Sequence, residues 1–229
     1  AWIERLFDAP PNESLSFASL TPVLGDPERN FLYGYLGRGE DRRLTAEPDC
    51  ADLSYFLHAY FAWKRGLPIA YRSCSRGSRA SPPRCEAPVI DPALAGPSAP
   101  TGTFLDLSRR LMDRVHSGSG RTALRDEATD FYPVPLERTA LWPGTLYADP
   151  YGHTLILVKW VPQTAGRGGL LLAVDAQPDT SISRKRFWEG TFLFAETPSA
   201  GPGFKAHRPL NARGSRMRLL ANGDLDGRD

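Results

Sequence analysis

The sequence has almost no net charge. Lys and Arg total 28 against 26 Asp and Glu, leaving +2 over 229 residues. That balance builds no strong field for a polyanion, so nucleic acid is excluded as a main partner. Long apolar runs are also missing. None approaches the roughly 18–20 apolar residues needed to cross a bilayer as a helix, which excludes an integral membrane segment of that kind. Cysteine is scarce: Cys50, Cys74 and Cys85 are the only three. None sits in a Cys-x-x-Cys pair and no neighbouring His completes a ligand set, so no zinc or other metal site is expected. The chain starts at Ala1 without a Met or a basic-then-apolar leader. We read it as a processed or trimmed form from which an export signal has gone.

Glycine and proline, by contrast, are plentiful at 21 each. Turns and long loops follow, not a helical bundle. The length suits one elaborated domain. Cys74 and Cys85 flank a short Ser, Arg, Gly and Pro loop. A disulfide closing it leaves Cys50 as the free thiol and places the chain in an oxidising compartment, periplasmic or secreted.

Residues 1–45 read as mostly helical, with mixed apolar spacing over 14–20 and 28–36. The strongest helix pattern runs from Asp49 to Arg65. Asp49 is a ready N-cap, Leu53, Phe56, Leu57, Tyr60 and Phe61 make an apolar face, and Gly66-Leu67-Pro68 stops it. Residues 73–102 read as a long loop. A second amphipathic helix spans 104–116. Strands are predicted over 145–148, 154–160, 170–175 and 191–196, with Gly166–Gly169 as a hairpin turn. The run Arg184-Lys185-Arg186 reads as an exposed turn, and 197–229 as a loop-like tail. Helices first and an antiparallel sheet later give an α+β fold.

Three side chains stand out as chemistry. Cys50 opens a helix, where unpaired amide groups favour a thiolate. His153 follows Gly152 and begins a strongly β-forming run, a rigid mount for a base. Asp175 ends a later strand and is placed to fix the imidazole tautomer, with Gln177 as the alternative on the same strand face. Cys, His, Asp in this chain order is how papain-like enzymes assemble nucleophile, base and orienter. The oxyanion hole is expected from the Cys50 backbone N–H with Tyr33 or Tyr35. His58 lies too far along the helix to be the base and reads as a surface or core residue. Asp52 projects from another side of that helix, solvated or paired with an arginine. Trp142 and Trp160 read as core or cleft wall.

Pro48-Asp49-Cys50-Ala51-Asp52-Leu53, with its aromatic helix, resembles the Asp-Cys-Ser-Gly-φ helix of NlpC-type cell-wall peptidases. Pro143-Gly144-Thr145-Leu146-Tyr147 and Gly152-His153-Thr154-Leu155-Ile156 resemble that family's Pro-Gly-Asp-φ and Gly-His-Val-φ-Ile elements. Tyr33-Gly34-Tyr35 is similar to its Pro-Tyr-φ-Trp-Gly element. The resemblance spans 31–72 and 141–177. It implies a papain-like fold, hydrolysis of peptide or amide bonds in peptidoglycan, and no metal or organic cofactor. The chain departs from the pattern at Ala51-Asp52, at Thr145 and in a large insertion over 73–140, expected to cap or wall the cleft. Gly66-Leu67-Pro68-Ile69-Ala70-Tyr71-Arg72 and Leu172-Ala173-Val174-Asp175 also resemble transglutaminase-like proteins, the runner-up. A non-catalytic binding module on the same shell is the third reading.

Overall fold

The computed structural model describes residues 1–97, 99–187, 199–211 and 217–225. A seven-stranded sheet forms its backbone, every neighbouring pair antiparallel. Its strands are β1 (Ser16–Phe17), β4 (Phe131–Pro133), β5 (Leu146–Ala148), β6 (Thr154–Val161), β7 (Leu170–Ala176), β8 (Ile182–Arg186) and β9 (Gly203–His207). Across the sheet they run β1-β8-β7-β6-β5-β9-β4. Two short pairs lie outside it: β2 (Ile69–Tyr71) with β3 (Val89–Asp91), and β10 (Leu210–Asn211) with β11 (Arg218–Leu219). The helices are α1 (Trp2–Leu6), α2 (Thr21–Leu24), α3 (Asp52–Arg65), α4 (Thr101–Met112) and α5 (Ser117–Gly120). The general class is α+β, as the sequence predicts.

Strand alternation sorts the apolar side chains onto two faces. Ile156 and Val158 of β6 join Leu172 and Val174 of β7 under α3, in the large core with Leu53, Phe56 and Tyr60. Leu155, Leu157, Leu171 and Ala173 point the other way and pack with Tyr147, Phe187 and Phe204. At about 25 cal/mol per Å² of apolar surface, this two-sided burial makes the sheet the stable floor on which α3 rests.

α3 starts and stops as its sequence dictates. The Asp49 carboxylate accepts the N–H of Ala51 at 2.8 Å and of Asp52 at 3.1 Å, satisfying donors the first turn leaves open. Gly66 closes the helix with φ +63, and a Cβ there would lie 2.7 Å from the Gly96 carbonyl oxygen. Only glycine fits that left-handed, crowded position. The last turn is pinned by Lys64, whose buried ammonium bonds Glu40 and Asp41 at 2.5 Å each.

Several expectations need correction. Residues 1–45 are not mostly helical: 14–20 contains the edge strand β1, and 28–36 is a chain of turns. Leu15, Leu20 and Leu32 still reach the core from this short strand and these turns, which mimics helical spacing in a short window. Residues 73–102 are not all loop, since β3 pairs with β2 there. Arg184-Lys185-Arg186 is strand, not an exposed turn. The buried Arg184 guanidinium donates to the carbonyls of Phe7, Ala9, Pro10 and Glu13, stitching the N-terminal segment to β8. Nor is the tail wholly loop-like: β9 inserts between β5 and β4. The strand expected over 191–196 lies outside the described residues.

Candidate active site

Thr154, the first residue of β6, donates its hydroxyl to the Cys50 carbonyl. That bond fastens the turn before α3 to the end of the sheet. Cys50 is a half-buried free thiol. Asp49 takes the two amides that follow it, and no partner is seen for the Cys50 N–H among the described residues. That amide is free to face a developing oxyanion.

His153 is held by a turn that the sequence encodes as Asp149-Pro150-Tyr151-Gly152. The Asp149 carboxylate accepts three backbone N–H groups, from Tyr151 at 2.8 Å, Gly152 at 2.7 Å and His153 at 2.9 Å. Gly152 takes φ +110, which a side chain would resist. The Asp-Pro-x-Gly string is a recognisable Asx-turn signal, and Asp149 is a site residue that our sequence reading missed.

The imidazole has two neighbours that matter. Its Nε2 lies 2.8 Å from Asp175 Oδ2, and Cys50 is near enough to help raise the pKa of the ring. With Nε2 given to the carboxylate, Nδ1 is the nitrogen left for the sulfur. Asp175 is fully buried and accepts three further bonds: Gln177 Nε2 at 2.8 Å, Lys185 Nζ at 2.5 Å and Ser183 Oγ at 2.9 Å. Gln177, held open as the alternative orienter, thus supports Asp175, and no bond between it and the ring is seen among the described residues. Ser183 was missed, and Lys185 read as part of an exposed turn, because the strand β8 was not foreseen.

These contacts set the charge states. Burial pushes the Asp175 carboxyl up, but bonds from His153, Lys185 and Ser183 outweigh it and hold the group below its ordinary value. His153 is raised to about 9, first by the hydrogen bond to Asp175 and then by the contact with Cys50. The imidazolium is therefore favoured well above neutral pH.

Segment 73–140 reaches the site. α5 sits beside the turn that carries His153: a Cβ at Gly152 would lie 3.4 Å from Ser117 Oγ, and one at Gly120 would lie 3.5 Å from Thr154. Lys205 of β9 fixes this wall by donating to the carbonyls of Gly120 and Thr122, both at 2.7 Å. His116 caps α5. Its Nδ1 accepts the Gly118 N–H at 3.0 Å, so its Nε2 carries the hydrogen donated to the Cys74 carbonyl at 2.7 Å. Cys74 and Cys85 form the expected disulfide, 11 positions apart. A loop that short is worth about 3 kcal/mol in chain entropy. Cys74→Ala/Cys85→Ala should lose an amount of that order in urea unfolding, and unchanged stability would show that the bond constrains nothing.

Asp52 corrects another expectation. It is half-buried, and no ion pair forms on it among the described residues. Burial, then the neighbouring Asp49 charge, raises its pKa to about 7 from 3.8. The folded state holds this proton more tightly than the unfolded chain does. Ionising Asp52 therefore costs stability as pH climbs from about 4 through 7. Asp52→Asn should melt several degrees above the parent at pH 8 and together with it near pH 3.5. Equal melting at pH 8 would refute the burden.

The tyrosines are elsewhere. Tyr35 is 52% exposed and its hydroxyl meets Arg65 at 3.4 Å, at the opposite end of α3 from Cys50. Fourteen helical residues separate those ends by about 20 Å. Tyr33 lines a separate depression with Thr21, Asp26 and Arg42. The segment 33–41 is anchored to Lys64 and Tyr60 through Asp41, and that pulls both tyrosines away from the thiol. His58 lies exposed with its ring stacked on His207 at 4.4 Å, and Trp142 is 64% exposed, not core. Trp160 is partly buried and donates to the Leu141 carbonyl.

No helix among the described residues is long and apolar enough to cross a membrane, and no group of three or more His, Cys, Asp or Glu among them gathers to hold a metal ion. No family model, curated protein or solved structure matches this chain.

Proposed function

We propose that this chain is a cysteine hydrolase with a papain-like arrangement, cleaving peptide or amide bonds through an acyl-enzyme. Cys50 is the nucleophile, His153 the acid and base, and Asp175 the orienter. The observation that carries this is the buried Asp175 carboxylate bonded to the His153 ring at 2.8 Å, with the only free thiol, Cys50, next to that ring and raising its pKa. A raised imidazolium beside sulfur is the charge partner a thiolate needs.

In the reaction the Cys50 sulfur attacks the carbonyl carbon while the Cys50 N–H faces the oxyanion. The C–N bond then breaks, and His153 gives its proton to the departing amine. Water adds to the thioester, its proton passing to His153, and the acid leaves as sulfur is freed. The residues call for no cofactor. The disulfide suits an exported enzyme, periplasmic or secreted, acting on peptidoglycan or another peptide.

Two incubations test this. Purified peptidoglycan should release new amines or carboxyls with the intact protein. A glutamine donor with a primary amine should stay unjoined. Amine transfer without hydrolysis would move the assignment to the transglutaminase-like runner-up. Neither reaction, with a sluggish Cys50, would leave only the binding module.

A further inference from the structure

One charged group beside this site is used by neither the fold nor the mechanism above. Arg121 follows α5, its N–H bonded to the Gly118 carbonyl and its own carbonyl to the Gly201 N–H. The main chain is thus fixed. The side chain runs to Gly152, the residue before the base: a Cβ there would lie 3.7 Å from the Arg121 Cζ and 3.8 Å from Nη2. The Arg121 Nε is buried and meets no acceptor among the described residues. Among the described residues neither a carboxylate nor a carbonyl is bonded to the guanidinium. Arg184 and Arg208, by contrast, spend theirs on backbone carbonyls.

Burying a guanidinium nitrogen without an acceptor is unfavourable, and keeping one beside the turn that carries His153 makes sense when the acceptor arrives from outside. A planar guanidinium matches a carboxylate with two parallel bonds. We infer that Arg121 binds a free carboxylate carried by the substrate next to the scissile bond, which makes it a specificity-determining residue. This rests on the hydrolase reading and narrows its substrates to acidic peptides or amides.

Alkylation of Cys50 by iodoacetate and by iodoacetamide separates the two claims without knowledge of the substrate. The reagents differ in a carboxylate against a neutral amide. The parent protein should favour iodoacetate over iodoacetamide about tenfold more than a small free thiol does, as one charge-assisted pair predicts. Arg121→Gln should bring that ratio down to the free-thiol value, and Arg121→Lys should keep part of it. A ratio untouched by Arg121→Gln overturns the carboxylate site and leaves the hydrolase standing. Both rates falling together, with the ratio kept, also overturns it by assigning Arg121 to positioning the His153 turn. An ordinary, slow iodoacetamide rate in the parent sinks the hydrolase reading itself.

Discussion

Cys50→Ala and His153→Ala should each remove hydrolysis to background while the melting temperature moves by no more than a few degrees. The reason for expecting both halves of that result is structural. Cys50 holds the fold through its backbone carbonyl, which Thr154 bonds, and alanine keeps that carbonyl. His153 leaves behind a carboxylate that still accepts from Gln177, Lys185 and Ser183, so no buried charge is stranded. The loss is therefore chemical. Nucleophile and base act as a unit, and removing either costs about as much as removing both, on the order of a millionfold in comparable sites. Hydrolysis surviving His153→Ala, with Cys50 intact, would break the proposed dyad. A cooperative unfolding curve must accompany each measurement, because a collapsed variant would also be silent.

The site was legible where local chemistry and local geometry agree. Asp49 caps, Gly66 ends, and the run after Gly152 is β-forming for reasons contained in a few residues each. Long-range placement was not legible. Tyr33-Gly34-Tyr35 resembles a motif, but the position of that motif is set by Asp41 and Glu40 gripping Lys64 at the far end of α3. No local pattern announces a buried lysine with two carboxylate partners. β8 and β9 failed for a related reason. Arg184 and Lys205 read as solvent-facing, yet each is buried because several main-chain carbonyls surround its charged end. Lys205 falls to about 7 through that burial, so much of its charge is not even retained. Missing β8 hid Ser183 and Lys185, and with them half of the Asp175 environment. The β6–β7 hairpin, by contrast, needed only alternation and Gly166–Gly169.

Asp175→Asn should lower kcat by about two to four orders of magnitude, less than loss of the nucleophile. The amide keeps the shape of the carboxylate and keeps acceptor capacity for Ser183. It removes the carboxylate acceptor whose hydrogen bond is the largest contribution raising His153, and the negative charge with it. The pH behaviour supplies a readout that a packing defect would not. A histidine raised from 6.5 to about 9 gives stability that is fully present below pH 6.5 and lost as pH rises through 9. The parent should therefore lose stability between pH 7 and 10, and Asp175→Asn should flatten that limb. The upper limb of kcat/KM should move toward neutral pH in the same variant. Gln177→Ala should cost far less, since its amide only steadies Asp175 at 2.8 Å. The opposite ranking, a silent Asp175→Asn beside a crippled Gln177→Ala, would hand the orienting role to Gln177. The lysine adds a second constraint. Its ammonium shares the Oδ2 atom that His153 uses, so it draws charge away from the imidazole. In Lys185→Met the carboxylate answers to the histidine more fully, and the upper limb should shift further to the alkaline side. A shift in the acid direction would mean that Lys185 holds Asp175 in place more than it competes for its charge.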